Sequence, residues 1–370
     1  IIEGAGSPAE INLKKTDLVN MFIAEESDSP VLIVGDIDRG GVFAWMKGTY
    51  DLLTQSEKNR VQGFIINKFR GDVDLLTPGV KQFEDMVKKP VLGIIPYSKN
   101  LVVDEEDTLP QWTYSSKPDA KGVLNIVVIW TPRISNFTDL SPLAYDPSIT
   151  IRYINHPSQM GNPDIIILPG SKNTIDDLIY LSEQGMLKEI LKSHGNGSFI
   201  MGICGGFQML GKAIKDPNNL ESRNKEAMGL GLFNVETTMA SEKLTRQVDL
   251  TTLKSKLFAE GLSCQGYEIH MGRTTFNTSY PTLFTSKGEG SMSSGITNQD
   301  GTVLGTYLHG FFDNDSFRQS LLCYVREKRK IEMPSQPFDF TQFRQNELDR
   351  LSELLTESVN MKKISKIIGV

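Results

Sequence analysis

Short apolar runs alternate with segments of helical spacing through residues 1–115 of the chain. Three of the runs are apolar throughout, which predicts strands that are buried on both faces. These runs cover residues 30–34, 61–67 and 91–95. Residues 42–53 and 78–87 have the spacing of helices, and residues 1–2 resemble the end of a further strand. Buried strands joined by helices predict a parallel sheet whose ligands bind at the carboxyl ends of the strands.

The same pattern resumes at residue 123, after a polar and acidic stretch. Strands are predicted at residues 123–130, 164–168, 198–201, 233–238, 246–250, 266–272 and 303–308, and helices at residues 176–191 and 317–330. A chain of 370 residues is too long for one ordinary core, so two α/β domains are predicted. We place them at residues 1–115 and 122–330, joined by a linker at 116–121 and followed by a charged helical tail at 331–370.

A cysteine set among glycines follows the strand at 198–201, in the segment 202–211, G-I-C-G-G-F-Q-M-L-G. This places Cys204 on a strand-to-helix turn, which lifts the sulfur clear of the sheet. The N-terminus of the following helix favours a thiolate there, and the glycine N–H groups are available to an oxyanion. The pattern therefore predicts a nucleophile. The alternative is a buried structural cysteine, since free cysteines are commonly inert.

Four histidines are available as the base that such a thiol needs: His156, His194, His270 and His309. His309 follows a buried strand and precedes a glycine, the place where an α/β enzyme presents a base. His270 lies on a strand among polar and apolar neighbours, and it suits the core or a substrate contact equally. The other two are predicted at the surface. We assign His309 as the base of Cys204, against the alternative of a structural histidine.

Polar residues follow the strands of the first domain. Glu3, Asp36 and Asn67 stand at three strand ends, with glycines close by in the sequence. Carboxylates beside glycine loops suit a site for Mg²⁺ and a nucleotide, because Mg²⁺ takes oxygen ligands and phosphate needs close backbone approach. Helix caps and turns use the same residue types, and that alternative stays open. The phosphate-binding pattern G-x-x-x-x-G-K-[ST] occurs nowhere in the 370 residues, so a nucleotide site here is expected to be incomplete.

The composition is that of a globular protein, with 39% hydrophobic and 23% charged residues. A net charge of −6 and a pI near 5.4 argue against a nucleic-acid or membrane surface as partner. Three scattered cysteines form no disulfide framework, and no apolar run approaches the roughly 18 residues of a membrane span. These features predict a cytoplasmic protein and leave its oligomeric state open.

Several motifs together resemble one family. The segment at 202–208, G-I-C-G-G-F-Q, looks like the nucleophile elbow of the class I glutamine amidotransferases. Three further motifs are similar to the branch of that family that contains the cobyric acid and cobyrinic acid diamide synthases. They stand at residues 168–174, 266–272 and 306–310. Residues 3–13, E-G-A-G-S-P-A-E-I-N-L, and 35–44, G-D-I-D-R-G-G-V-F-A, resemble the cobyric acid-forming members in particular.

The resemblance implies a fold and a reaction. The first domain would be a P-loop domain like that of dethiobiotin synthetase, which uses ATP and Mg²⁺ to activate carboxylates as acyl phosphates. The second would hydrolyse glutamine at Cys204, with His309 as base, and deliver the ammonia. The acceptor would be a corrinoid, adenosylcobyrinic acid a,c-diamide, amidated at its peripheral carboxylates to adenosylcobyric acid. The other implied roles are an oxyanion hole at Gly170 and Gly205, a glutamine contact at Gln208, a Mg²⁺ ligand at Glu3, and nucleotide contacts at Asp36 and Asn67.

The chain departs from the family pattern in two places. Triad amidotransferases carry a glutamate two residues after the histidine, and here that position is Phe311. The cobyric acid branch is similar in lacking it, so a Cys–His dyad is expected, with the group that orients the imidazole unidentified. Glu268 is a candidate by residue type and by its place in the motif only. The family's phosphate loop precedes the E-G-A-G motif, so we expect this chain to be truncated and to bind ATP phosphates poorly.

Two other functions stay open at this point. One is a related amidotransferase with a different acceptor, cobyrinic acid or a cell-wall lipid, and the motif at 3–13 argues against it. The other is a non-catalytic P-loop-like binding protein with a degenerate amidotransferase domain. The presence of both Cys204 and His309 argues against that reading.

Overall fold

The computed structural model describes residues 1–99, 101–102, 122–286 and 295–370. The chain forms two compact units, Ile1–Val103 with Arg344–Val370, and Asp104–Phe343. The predicted boundary at residue 115 and the predicted linker at 116–121 lie outside the described residues. The predicted tail is divided between the units, because residues 331–343 belong to the second unit and residues 344–370 to the first.

The first unit begins with the elements α1 (Met21–Glu26), β1 (Val31–Asp36), α2 (Val42–Leu52), α3 (Gln55–Arg60), β2 (Val61–Phe69), α4 (Val73–Val87) and β3 (Val91–Pro96). The strands form a parallel sheet in the order β1-β2-β3, which confirms the prediction for this unit. Its core forms around Phe64 and Phe83, whose rings meet edge to face with centroids 4.9 Å apart. The register places Asp36 beside Asn67 at the carboxyl ends of β1 and β2.

Two predictions in this unit are wrong. Residues 1–2 form no strand, because they are exposed and pair with none of the strands that the structure describes. Helix α4 begins at Val73 rather than at residue 78. Asp72 caps this helix by accepting the backbone N–H of Asp74, so Pro78 lies inside the helix and not in its first turn.

The second unit contains the strands β4 (Leu124–Ile129), β5 (Ile134–Ser135), β6 (Ile149–Ile154), β7 (Ile165–Leu168), β8 (Gly170–Ser171), β9 (Phe199–Ile203), β10 (Ala213–Lys215), β11 (Glu226–Met228), β12 (Val235–Thr252), β13 (Ser263–Phe276), β14 (Phe284–Ser286), β15 (Gly295–Thr297), β16 (Val303–Thr306) and β17 (Leu308–His309). Its α-helices are α5 (Ser141–Ala144), α6 (Thr174–Glu183), α7 (Met186–Gly195), α8 (Gly205–Met209) and α9 (Asp315–Arg329). Helices α10 (Phe340–Ser358) and α11 (Met361–Ile368) close the chain. Of the helices in the described part of the chain, none has the length and apolar character to cross a membrane.

The central sheet of this unit has the order β15-β16-β9-β7-β4-β6. All its neighbouring pairs are parallel except β15 with β16. A second sheet has the order β11-β10-β12-β13-β17, with β14 beside β12, and β5 pairs with β8 separately. Strands β4, β7 and β9 are buried almost along their whole length, which is why they are continuous apolar runs in the sequence. The predicted α/β fold class is confirmed.

Two predicted elements differ from the structure. The single helix predicted at 176–191 is two helices, α6 and α7, because Gly185 takes a left-handed conformation with φ 75° between them. The two strands predicted at 233–238 and 246–250 are one long strand, β12. Its pairing with β13 shifts register between Met239 and Leu244, at the place where the sequence pattern is interrupted.

The parallel order of the central sheet brings distant parts of the chain to one edge. Strand β9 ends at Ile203, directly before Cys204, and β17, which follows β16 closely, ends at His309. The segment after β4, residues 130–140, begins at the same edge. This edge carries the candidate active site.

Candidate active site

Cys204 lies at the turn between β9 and α8, where the glycine-rich segment predicts it. Its backbone has φ 53° and ψ −109°, a strained conformation for a residue with a side chain and one typical of a nucleophile elbow. Its N–H donates to the Thr306 carbonyl at 2.7 Å, which ties the turn to β16. The side chain is 9% exposed, with Sγ 3.4 Å from the carbonyl oxygen of Ile269 in β13. Two neighbouring strands therefore hold the turn.

The glycines around Cys204 are required because the turn packs directly on the end of β7. A side chain at Gly206 would place its Cβ atom 1.8 Å from the carbonyl oxygen of Leu168. A Cβ atom on Gly205 would lie 3.0 Å from the backbone nitrogen of Ser171. The elbow therefore lies against the segment that carries Gly170.

We expect Gly206→Ala to lower the free energy of unfolding by about 1–3 kcal/mol or more, because the Leu168 backbone has to move away from the new Cβ atom. Thermal unfolding followed by circular dichroism measures the effect. Gly195→Ala is the matched control, since Gly195 ends α7 and a Cβ atom there meets nothing within 4 Å. Equal melting temperatures for the two variants would contradict the packing described.

His309 ends β17, and its imidazole is buried beside Asp139. Nδ1 of His309 lies 2.7 Å from Oδ2 of Asp139, and the other oxygen of that carboxylate accepts the Gly310 N–H at 2.9 Å. The carboxylate therefore holds the imidazole with Nδ1 as donor, which leaves Nε2 to serve the thiol. The sequence analysis left the group that orients the imidazole unidentified, and in the structure Asp139 occupies that place.

Cys204 and Asp139 both influence the protonation of this imidazole. Burial by itself lowers the pKa of His309, but the hydrogen bonds and charges of Asp139 and Cys204 outweigh burial and raise that pKa to about 10. The raised pKa favours the protonated imidazole, which is the form that can give a proton to a leaving group.

Two further side chains pack on the His309 ring. Tyr267 stacks on it, with ring centroids 5.1 Å apart and planes 18° from parallel. The amide nitrogen of Asn136 lies 3.0 Å from Nδ1 and 3.2 Å from Nε2, so it sits over the ring. Asn136 reaches this place from a left-handed backbone conformation with φ 54°. Together these contacts restrict rotation of the imidazole.

The structure brings the other predicted residues of this domain to the same place. Gly170 lies in β8, where a Cβ atom would be 3.6 Å from Cε1 of His309. Gln208 follows Cys204 by one helical turn, is 3% exposed, and donates from Nε2 to the Tyr307 hydroxyl at 3.3 Å. Its Oε1 atom is buried, and no residue in the described part of the chain hydrogen-bonds it. A buried acceptor of this kind suits an N–H donor on a ligand.

The predicted nucleotide residues lie in the first unit. Lys68 reaches Asp36 at 2.8 Å, beside Asn67. Burial opposes ionisation of Asp36, but the bonds from Lys68 and from the Asp38 N–H hold its pKa below the ordinary value. Glu3 is exposed, and the described residues contain no group of three or more histidine, cysteine, aspartate or glutamate side chains that could hold a metal ion. These residues do not by themselves form a Mg²⁺ site, so the assignment of Glu3 stays a prediction.

Two polar residues of β13 do not serve His309. Glu268, the candidate orienting group, pairs with Arg246 at 2.8 Å, so that suggestion is wrong. His270 is buried, its Nδ1 lies 2.9 Å from a backbone carbonyl oxygen, and its ring stacks on Tyr307 at 3.8 Å. Burial lowers the pKa of His270, so this histidine is a neutral core residue at neutral pH.

Asp139 is the residue of the candidate site that the sequence analysis missed. It lies in a 3-10 turn at Phe137–Leu140, 170 positions before His309. One signal was available, since the turn follows a predicted buried strand closely and its acidic residue precedes an apolar one. Nothing in the spacing connects that turn to His309.

Comparison with known families agrees with this site. Residues 125–317 match the CobB/CobQ-like glutamine amidotransferase domain family, and residues 1–104 match an AAA domain family. The first match contains Cys204, His309 and Asp139. Fold and site therefore define a CobB/CobQ-like glutamine amidotransferase.

Full-length relatives narrow the class. The cobyric acid synthase of Clostridium novyi (strain NT) is 45% identical over 374 residues, covering 100% of this chain and 73% of its own length. That of Caldanaerobacter subterraneus subsp. tengcongensis is 44% identical over 378 residues, with the same coverage. A solved structure of PurLQS from Thermotoga maritima matches 55% of this chain and 99% of its own, at 20% identity and a TM-score of 0.44. The chain belongs to the cobyric acid synthase family, glutamine-hydrolysing amidating enzymes of cobalamin biosynthesis, which confirms the resemblance.

Proposed function

We propose that the second unit hydrolyses L-glutamine at Cys204, with His309 as acid and base and Asp139 orienting His309. The observation that supports this is the buried pair of His309 and Asp139, together with a cysteine on a glycine elbow whose charge influences that histidine. A carboxylate, an imidazole and a thiol in this order activate a nucleophile for acyl transfer.

The proposed reaction has two halves. The Cys204 thiol passes its proton to Nε2 of His309 as its sulfur bonds to the carboxamide carbon of glutamine, and the negative charge that forms on the carboxamide oxygen is stabilised by N–H groups near Gly170 and Gly205. His309 donates its Nε2 proton to the carboxamide nitrogen, and the C–N bond breaks. Ammonia departs, and the glutamyl group remains on the sulfur as a thioester. His309 then takes a proton from water, whose oxygen displaces the sulfur and releases glutamate.

Gln208 is proposed to contact the bound glutamine. Its Nε2 is engaged by Tyr307, which leaves Oε1 as an acceptor for a substrate N–H. Leaving such an atom unpaired costs about 1–3 kcal/mol, so the bound substrate recovers part of that free energy.

The ammonia is proposed to amidate the peripheral carboxylates of adenosylcobyrinic acid a,c-diamide, giving adenosylcobyric acid. Similarity to cobyric acid synthases over the whole chain supports this acceptor. The AAA domain match supports a nucleotide, which we propose to be ATP with Mg²⁺, activating each carboxylate as an acyl phosphate. Asp36 and Asn67 are proposed as the contacts of this nucleotide, since they stand together at strand ends.

We propose the cytoplasm as the location, because all three cysteines are free.

Hydroxylamine tests the cysteine step, because it intercepts a γ-glutamyl thioester and converts it to γ-glutamyl hydroxamate. We expect L-glutamine and hydroxylamine together to yield the hydroxamate, and the Cys204 peptide of rapidly quenched protein to carry a γ-glutamyl group by mass spectrometry. The peptides of Cys264 and Cys323 are the internal controls and should stay unmodified. Glutamate release without hydroxamate or a labelled Cys204 peptide would contradict the mechanism.

The acceptor is tested separately, in a form of the protein that also supplies the phosphate loop missing from the 370 residues, by incubation with the corrinoid diamide, ATP, Mg²⁺ and L-glutamine. Each amidation replaces a carboxyl OH by NH₂, which the mass spectrum of the corrinoid records. Glutamate release with a corrinoid of unchanged mass would overturn the acceptor and leave the cysteine chemistry standing.

A further inference from the structure

A buried carboxylate that the proposed reaction does not use lies behind the strand end that faces Cys204. Asp177 of α6 is fully buried. Its Oδ2 accepts the Ser171 hydroxyl at 2.6 Å, and its Oδ1 lies 3.2 Å from an Arg133 guanidinium nitrogen. A buried carboxylate lowers stability unless it is paired and hydrogen-bonded. Here one partner, Ser171, lies in β8, and the other, Arg133, directly precedes β5, which pairs with β8.

Ser171 occupies the centre of this cluster. Its hydroxyl donates to Asp177 and accepts the Asn173 N–H at 3.0 Å. Its backbone pairs with Ile134 across the β5–β8 ladder, and the N–H of the next residue donates to the Arg133 carbonyl at 2.8 Å. Strand β8, the turn after it and the segment before β5 are therefore one hydrogen-bonded assembly.

This assembly lies next to the reacting atoms. A Cβ atom placed on Gly205 would lie 3.0 Å from the Ser171 backbone nitrogen. A Cβ atom placed on Gly170 would lie 3.6 Å from Cε1 of His309. The Cys204 sulfur lies on the turn between β9 and α8, and the imidazole lies on β17. A small shift of β8 would therefore move the oxyanion donor at the Gly170–Ser171 peptide and leave the thiol and the imidazole in place.

We infer that Ser171 and Asp177 are positioning residues that hold the Gly170–Ser171 peptide where the oxyanion of glutamine hydrolysis forms. The inference rests on the proposed hydrolysis at Cys204. Loss of the Ser171–Asp177 bond weakens an interaction made in the transition state, so it lowers kcat and leaves KM unchanged. It also leaves unchanged any reaction of the thiol that forms no oxyanion.

The test compares Ser171→Ala with Ser171→Thr in two assays. One measures glutamate release from L-glutamine, and the other measures alkylation of Cys204 by iodoacetamide, a displacement at carbon that forms no oxyanion, followed on the Cys204 peptide. We expect Ser171→Ala to lower kcat about tenfold or more, with KM and the alkylation rate within about twofold of wild type. Ser171→Thr keeps the hydroxyl and is expected to restore kcat.

Arg133→Met provides a second variant should Ser171→Ala not fold, because the Arg133 side chain is 43% exposed. It is expected to lower kcat by a smaller factor, again without a change in alkylation. Parallel losses of kcat and alkylation, or an unchanged kcat, would overturn the inference. Glutamate release at the wild-type rate by Cys204→Ala would instead overturn the proposed function, so the two failures are distinguishable.

Discussion

Replacing Cys204 by alanine is expected to lower glutamate release from L-glutamine by at least about 10⁴-fold. The sulfur forms the thioester on which both halves of the proposed reaction depend, and a methyl group cannot replace it. A coupled assay of glutamate formation measures the loss. Release within about tenfold of wild type would contradict the assignment of Cys204 as nucleophile.

Two controls separate this effect from general damage. Cys323→Ser is the matched variant, because Cys323 is a free cysteine in α9, and it is expected to leave glutamate release unchanged. In a form of the protein that also supplies the missing phosphate loop, and with ammonium chloride as nitrogen donor, Cys204→Ala is expected to amidate the corrinoid as wild type does, since externally supplied ammonia bypasses the thiol. Loss of ammonia-dependent amidation in that variant would show that the substitution harms more than glutamine hydrolysis.

Asp139→Asn is expected to lower kcat for glutamine hydrolysis roughly a hundredfold or more. The carboxylate accepts from Nδ1 of His309 and from the Gly310 N–H, so it selects the tautomer and orients the ring. An asparagine amide fills the same space but presents its NH₂ group to one of these two donors. Steady-state kinetics measure the loss, and a kcat within about threefold of wild type would contradict a role for Asp139.

The pH profile gives Asp139→Asn a second readout. The hydrogen bond and charge of Asp139 help to raise the pKa of His309 to about 10 against the opposing effect of burial, so removing the charge lowers that pKa. The alkaline limb of kcat/KM, where the imidazolium loses its proton, is therefore expected to move to lower pH. Glu268→Gln is the comparison variant, because Glu268 pairs with Arg246, and its alkaline limb should stay where wild type has it.

Local signals carried much of the prediction. The strands β4, β7 and β9 are buried on both faces, so each is a continuous apolar run that the sequence shows directly. Cys204 was recognisable because a sharp turn packed on Leu168 tolerates only glycine at 206. Where a prediction failed, the structure depended on a nonlocal contact or on a backbone conformation. At Gly185, for example, a left-handed backbone divides an amphipathic segment into two helices.

By itself the sequence identified a candidate pair, a cysteine on a glycine-rich turn and a histidine at the end of a distant strand. Only the tertiary structure decided which carboxylate completes the site. Asp139 and His309 are 170 positions apart and meet at the carboxyl edge of a sheet whose strand order differs from the chain order. Glu268 is far nearer to His309 in the sequence, yet it is bound to Arg246. The order of strands in a sheet produces no periodic or spaced pattern of residues in a single sequence. Proximity in the sequence therefore suggested Glu268, whereas the structure places Asp139 on the histidine.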